Sequence, residues 1–310
     1  MKKKRIAVTH PSLVPGGGSE ARALWISEAL KKDYEIILIS MGEIDMEKLN
    51  ASYGTQLNTS EIDVTEIPIP FFLKNKFDAL RYYRLSRYIK KNAHNFDLLI
   101  SAYNIMDFGK KGIQFIADFS FDDNLRRRFD PKSAKNRNIF YQKSFFRKLY
   151  LNLGRQLAGE TKEGWRKNIS IANSNWSADV LSDYYGITAK TIYPPVNDSK
   201  TNQVPWANRK NGLVAVGRIV PEKGYHKLIN IVRKLRDRNN DIHLHIIGKG
   251  NDSSYFKYLE KQAEENKSWC FLEGPKFGEE KNQILSSHKY GFSGRQNEAF
   301  GIAVAEMIKA

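Results

Sequence analysis

Apolar positions at the start of the chain fall into two short runs separated by a stretch of helical spacing. Arg5 to Thr9 reads as a strand, and Glu35 to Ser40 forms a second around Ile36-Ile37-Leu38-Ile39. Between them Gly16-Gly17-Gly18 makes a turn, Ser19 offers an N-cap, and Ala23, Trp25, Ile26, Ala29 and Leu30 recur near helical spacing. The predicted unit is βαβ. Short apolar runs bounded by polar residues follow at Asp97 to Ser101, Ile113 to Ala117 and Ile169 to Ala172, with helix-compatible stretches at 77–92 and 137–160. Strands alternating with helices predict an α/β fold with a parallel sheet covered on both faces.

At Tyr193-Pro194-Pro195-Val196-Asn197 two successive prolines break both helix and ladder, and a weakly patterned polar stretch runs on to Asn211. The alternation then restarts. Strands are predicted at Leu213 to Val216, His243 to Ile247, Cys270 to Leu272 and Lys289 to Phe292, with helices at 223–238, 254–265, 278–286 and from Gly301. The expected organisation is a first Rossmann-like domain over 1–195, a linker over 196–211 and a second domain over 212–310. The chain stops at Met307-Ile308-Lys309-Ala310 inside a predicted helix, so the second domain is expected to be incomplete.

Length and charge narrow the function classes. At roughly 100–200 residues per domain, 310 residues suit two domains, each with its own core. Cys270 is the single cysteine, which excludes an intrachain disulfide framework and points to a reducing compartment. No apolar run approaches the ~20 residues that span a bilayer. After Lys2-Lys3-Lys4-Arg5 only Ile6-Ala7-Val8 precedes His10-Pro11, which is no signal-peptide core. With 50 Lys+Arg against 34 Asp+Glu the formal charge is +16, which favours an anionic partner: nucleic acid, a membrane surface or a phosphorylated small molecule.

Basic stretches interleaved with aromatics lie at Arg81-Tyr82-Tyr83-Arg84, Arg87-Tyr88, Lys90-Lys91 and Arg126-Arg127-Arg128. They read either as contacts to nucleic acid or anionic lipid, or as solvated helix faces with the rings turned inward. Histidines are scattered. His243 and His245 share one face of a predicted strand without a third ligand, so no metal site is expected.

Three constellations suit phosphate and sugar chemistry. Gly17 and Gly18 lie between a strand and a helix N-terminus, where free backbone N–H groups can face a phosphate, or they simply form a tight βα turn. Arg218 and Lys223 lie near the carboxyl end of a predicted strand, where ligands bind in open α/β sheets and two cations suit a diphosphate. The other reading is two solvated cations. Glu298 in a loop and Glu306 in the following helix are eight positions apart. At ~1.5 Å per residue that is about 10 Å, enough for two carboxylates to meet different hydroxyls of one ligand.

Together these segments resemble glycosyltransferase family 4, the retaining GT-B enzymes that use nucleotide-sugar donors. His10-Pro11, Gly16-Gly17-Gly18-Ser19-Glu20 and Leu24-Trp25 are similar to the opening of mannosyltransferases that elongate lipid-linked oligosaccharides. So are Ala172-Asn173-Ser174-Asn175-Trp176-Ser177 and Tyr193-Pro194-Pro195-Val196. Gly217-Arg218 with Glu222-Lys223-Gly224 matches the family's diphosphate-binding pair, and Glu298 to Glu306 its paired-acid signature, with Phe300-Gly301 between.

The resemblance implies two Rossmann-like domains facing a cleft and a GDP-mannose or UDP-sugar donor. Arg218 and Lys223 would hold the diphosphate, helped by Gly17 and Gly18. Glu298 would contact the transferred sugar and Glu306 the ribose, with Phe300, Gly301 and Ile302 lining the path. His10 is a candidate sugar or acceptor contact, as is Asp118, which stands in Gln114-Phe115-Ile116-Ala117-Asp118-Phe119-Ser120 where the mannosyltransferases carry a His. No cofactor and no divalent metal is implied. The expected partners are a nucleotide sugar, a glycan or lipid-diphosphate acceptor and an anionic membrane surface on the cytoplasmic side. Alternatives are a soluble transferase, an inactive sugar-nucleotide binder and a basic nucleic-acid-binding protein, the last disfavoured because acids in the binding region repel a phosphate backbone.

Overall fold

The structure, a computed structural model, describes residues 3–14, 17–71, 78–116, 118–119, 121–129, 145–196, 204–250 and 254–310. Gly16, Ala117, Ser120, Asn197 and the first part of the 137–160 stretch, all named above, lie outside the described residues. The chain divides into two units, Met1–Arg126 with Arg137–Pro194, and Arg127–Asn136 with Pro195–Ala310.

Unit 1 is built on seven parallel strands in the order β3-β2-β1-β4-β5-β6-β7. These are β1 (Arg5–His10), β2 (Glu35–Met41), β3 (Asp63–Ile67), β4 (Leu98–Ser101), β5 (Ile113–Ile116), β6 (Ile169–Ala172) and β7 (Ala189–Thr191). Helices α1 (Gly18–Leu30), α2 (Met46–Tyr53), α3 (Asp78–Asn92), α4 (Asp123–Phe129), α5 (Phe145–Ala158), α6 (Lys162–Arg166) and α7 (Asn175–Tyr185) accompany them. The strict alternation of the strands creates two cores. Ile6, Val8, Ile36 and Leu38 pack on one face with Leu24 of α1, while Ala7, Ile37 and Ile39 pack on the other with Leu85 and Ile89 of α3.

Where the reading from sequence and the structure differ, the differences are local. Helix α1 starts two residues earlier than Ser19 predicts: Gly17 occupies the N-cap with no side-chain cap. Capping by Ser174, whose hydroxyl accepts the Ser177 N–H at 3.1 Å, starts α7 instead, and Gly186 at φ 61° ends it. On α3 the tyrosines turn inward and the cations outward. Tyr83 is buried and the Tyr82 hydroxyl donates to the Ile105 carbonyl, whereas Arg84 and Arg87 are exposed and Lys90 pairs with Asp107 at 2.9 Å. Of the two readings of that stretch, α3 takes the solvated face with inward rings.

Unit 2 is built on four parallel strands in the order β10-β9-β8-β11. They are β8 (Lys210–Val216), β9 (His243–Ile247), β10 (Cys270–Gly274) and β11 (His288–Gly291), joined by α8 (Tyr225–Arg236), α9 (Ser254–Glu265) and α10 (Gly278–Ser286) and followed by α11 (Ile302–Lys309). One face packs Ala215, Leu244 and Ile246 under Leu228, Ile229 and Val232 of α8 and Leu259 of α9. The other packs Val214 and Ile247 under Leu285 of α10, with Met307 of α11 alongside.

Each sheet reverses its strand order once, between β1 and β4 in unit 1 and between β8 and β11 in unit 2. In open α/β sheets the crevice beyond the carboxyl ends at such a reversal is where ligands bind. Among the described residues, no helix is long and apolar enough to cross a membrane.

Candidate functional site

At the reversal of unit 2, β8 ends at Val216, Gly217-Arg218 follow it, and a single turn, Pro221–Lys223, leads into α8. Gly224 links that turn to the helix at φ 70°, a left-handed conformation suited to glycine. The approach between strands is tight: a Cβ on Gly248, just after β9, would collide with the Gly217 carbonyl. Lys223 is held over Gly217, because a Cβ at that glycine would lie 3.4 Å from Lys223 Cε. Arg218, the next residue, is exposed.

The loop after β11 brings the predicted acid to this cation. Lys223 Nζ donates to Glu298 Oε2 at 2.8 Å, and Arg295 Nη1 reaches Glu298 Oε1 at 3.5 Å. Lys223 and Glu298, 75 positions apart, are therefore one ion pair, with side chains 20% and 24% exposed. Gly301, at φ 81°, caps α11 and follows partly buried Phe300; Ile302 opens the helix. Glu306 does not join the pair. Its Oε1 accepts from Lys281 Nζ of α10 at 2.6 Å, which explains how a carboxylate is carried on an otherwise apolar helix.

Unit 1 gathers a different set at its own reversal. His10, the last residue of β1, is 2% exposed, and its Nδ1 accepts the Ser12 N–H at 3.2 Å. That bond assigns the proton to Nε2, a buried donor that has no partner among the described residues. Burial pushes the His10 imidazole down to about 3, with the nearby Arg22 charge adding to the shift, so the ring is neutral at pH 7. Arg22 of α1 also has a buried, unpartnered Nη1, and burial lowers its guanidinium to about 10 against the opposing pull of Asp118. Asp118 Oδ1 in turn accepts from Asn104 Nδ2 at 3.3 Å. The predicted His10 and Asp118 thus share a neighbour, Arg22, that sequence reasoning missed. Its position one turn into the helix that opens beside the strand reversal was the available signal.

The glycines at the start of α1 are already engaged. The Gly17 N–H donates to Tyr53 Oη at 3.2 Å. The Glu20 carboxylate, tied to Ser19 Oγ at 2.8 Å, folds against Gly17, so that a Cβ there would lie 2.5 Å from Glu20 Oε2. The protein thus places its own anion at the positive end of this helix, beside Gly17 and Gly18.

A third histidine also changes the expectation for His243 and His245. Ring centroids of His288 lie 5.1 Å and 4.4 Å from theirs, which corrects the reading that the pair lacks a third neighbour.

Residues 196–310 match the family described as Glycosyl transferases group 1. No curated protein sequence matches the chain. Among solved structures it is similar to WaaG, a glycosyltransferase involved in lipopolysaccharide biosynthesis, at a TM-score of 0.66 and 16% identity over 98% of this chain and 78% of that one. It is also similar to Alr3699/HepE from Anabaena in complex with UDP and glucose, at 0.63 and 15% identity over 98% and 78%. A glycosyltransferase from Rickettsia africae gives 0.62 and 16% identity over 99% and 77%. These likenesses show the fold, an α/β chain of GT-B type with parallel sheets.

Proposed function

We propose that the chain transfers a sugar from a nucleoside diphosphate sugar to a glycan or lipid-linked acceptor, with retention at the anomeric carbon. The observation that carries this reading is the Lys223–Glu298 ion pair at 2.8 Å, beside exposed Arg218, at the strand reversal of the segment that matches the group 1 glycosyl transferases. In the bound state Lys223 and Arg218 hold the donor diphosphate. Lys223 exchanges its carboxylate partner for a phosphate oxygen, which frees Glu298, still near Arg295, to accept a hydrogen bond from a sugar hydroxyl. Phe300, Gly301 and Ile302 line the approach, and Glu306 meets the ribose while keeping Lys281.

The chemistry follows from where charge grows. As the anomeric C–O bond to phosphate breaks, negative charge develops on the departing diphosphate, and two fixed cations stabilise it more in the transition state than in the ground state. The acceptor oxygen bonds to the anomeric carbon on the same face, and its proton passes to a phosphate oxygen of the leaving group. The step needs no metal ion. Gly17 and Gly18, at the N-terminus of α1, are proposed as further phosphate contacts. His10 and Asp118, with Arg22, hydrogen-bond sugar or acceptor hydroxyls, since His10 Nε2–H and an Arg22 Nη1–H are donors without acceptors among the described residues.

UDP and GDP donors both fit these residues. The complexes of HepE with UDP and glucose and of the pneumococcal O-GlcNAc transferase GtfA with UDP and GlcNAc support the first. A peripheral membrane location is supported by α5, where Phe145, Leu149, Leu153 and Leu157, spaced four apart on one helix face, are 74%, 44%, 48% and 62% exposed.

Thermal stabilisation of the full chain by UDP, GDP, ADP and their sugars, paired with release of nucleotide from the sugar donor, tests the proposal. One base family raises the melting temperature, and Arg218→Ala and Glu306→Ala lose the shift. No shift and no nucleotide release with any donor overturns it.

A further inference from the structure

We propose that His243, His245 and His288 form a binding site for a divalent transition-metal ion of the zinc type, with three imidazole nitrogens as ligands and a fourth position open to a polar cavity. The site is separate from the sugar-nucleotide residues and does not depend on their assignment. His243 and His288 open their strands, β9 and β11, and His245 follows two residues on, whereas Arg218 and Lys223 lie beyond the opposite, carboxyl end of β8.

The rings meet because one residue of β8 has no side chain. Strand β8 runs between β9 and β11, and Gly212 is paired with His243. A Cβ at Gly212 would collide with His243 Nε2 and lie 2.8 Å from His288 Cδ2. Glycine therefore opens the space over the central strand in which two imidazoles from its flanking strands approach one another. The candidate ligand atoms of all three histidines lie within 4.8 Å of one another. Tetrahedral zinc–nitrogen bonds of 2.0–2.1 Å require about 3.3 Å between ligand atoms. Rotation of the partly exposed His243 and His245 rings closes that gap.

Hydrogen bonds already orient two of the rings as ligands. His288 Nδ1–H donates to the Ile284 carbonyl at 2.6 Å, which leaves the Nε2 lone pair for another partner. Among the described residues that Nε2 is buried with no hydrogen-bond partner, on a side chain only 5% exposed, an arrangement that ring packing does not account for. His245 Nδ1 is 2.6 Å from Glu273 Oε1, the carboxylate–histidine contact that orients metal-bound imidazoles and raises their basicity. Three nitrogen donors without a thiolate, and with the carboxylate one step back, favour zinc and its cobalt, nickel and copper neighbours over magnesium or calcium. A cavity of about 460 Å³ lined by His245, His288, Glu273, Glu279, Gln283 and Lys210 adjoins the rings and admits a water or another small ligand at the fourth position. A bound ion would tie β9 to β11 across β8.

The test is titration of the EDTA-treated full chain with Co²⁺, followed by visible absorption, and with Zn²⁺, followed by calorimetry. The expected result is one ion per chain with the intense spectrum of four-coordinate Co²⁺, displaced by Zn²⁺. His288→Ala and His243→Asn each weaken binding at least 100-fold, and Glu273→Gln weakens it about 10- to 100-fold. His94→Ala, at an exposed residue of the other unit, leaves it unchanged. Metal-free melting curves of each variant identify any that fails to fold, and the half-exposed His243 provides the second route should His288→Ala do so. Absence of saturable binding overturns the proposal. So does binding that survives the histidine substitutions, or the weak spectrum of six-coordinate Co²⁺, either of which marks an adventitious ion only.

Discussion

The two strand reversals hold similar residues in opposite states. In unit 2 the charged groups are paired with one another, Lys223 with Glu298 and Lys281 with Glu306, at 15–24% exposure. In unit 1 the polar groups are more deeply buried and left incomplete: His10 Nε2 and Arg22 Nη1 are donors with no acceptor among the described residues. A ligand oxygen arriving in unit 1 gains a hydrogen bond that the fold has left unmade, at a desolvation cost of about 1–3 kcal/mol per group already carried by the protein. A phosphate arriving in unit 2 must instead replace a carboxylate, so its net gain is smaller in the ground state and grows only as the leaving group gains charge. Under the proposed transfer reaction, discrimination among hydroxyl patterns would fall to the first unit and transition-state stabilisation to the second.

The largest expected effect is on the second half of that contrast. Lys223→Ala removes a cation whose worth rises in the transition state, and loss of one such preorganised group costs about 10²–10³ in kcat. Turnover measured as nucleotide release should fall by that factor, while the apparent KM for the donor changes less. A fall in affinity with kcat unchanged would mean that Lys223 binds ground and transition states alike, and the contrast between the units would dissolve.

A smaller effect, on stability, tests the first half. His10 sits at about 3 in the folded chain against an unfolded value of 6.5, so the unfolded state takes up the proton first. Stability from this residue is fully present above pH 6.5 and is lost as pH falls toward 3. At pH 5 the loss amounts to about 2 kcal/mol, from 1.36 kcal/mol per pKa unit. Denaturant unfolding at pH 7 and pH 5 should show that difference, reduced by about the same amount in His10→Gln. An unchanged difference would place the acid sensitivity elsewhere, for instance in His288, which burial also lowers.

How much of this was legible in the sequence depended on how local each cause is. The central strands β1, β2, β6, β8 and β9 are apolar runs that announce themselves. The edge strands β3 (Asp-Val-Thr-Glu-Ile) and β7 (Ala-Lys-Thr) carry polar residues because each pairs on one side only, so hydrophobic patterning passes over them. The Lys223–Glu298 pair joins residues that patterning alone treats as two solvated charges; their places near a strand end and before a helix singled each out, but not that they would meet. Arg22 and His288 were passed over for a different reason. An arginine in a helix or a histidine in a strand draws notice only once it is known to be buried and unpartnered, and His288 reaches His243 only because β11 lies beside β8 and position 212 lacks a side chain. The N-cap of α1 was misplaced by two residues because Ser19 spends its hydroxyl on Glu20.

That last contact yields the smallest and most diagnostic prediction. Glu20 places a negative charge beside the N-terminal turn of α1, where a carboxylate is worth about 0.3–1 kcal/mol. Glu20→Gln should therefore lower stability in denaturant by that amount. The same substitution removes the internal competitor for any anion approaching Gly17 and Gly18, so affinity for the nucleoside diphosphate should rise, by about two- to fivefold if the same interaction energy is returned to the ligand. Opposite signs in the two measurements would make α1 a phosphate-binding turn held in check by its own side chain, bringing unit 1 closer to the exchange behaviour of unit 2. Equal signs, with stability and affinity falling together, would make Glu20 a structural part of the turn and leave the phosphate to Arg218 and Lys223 alone.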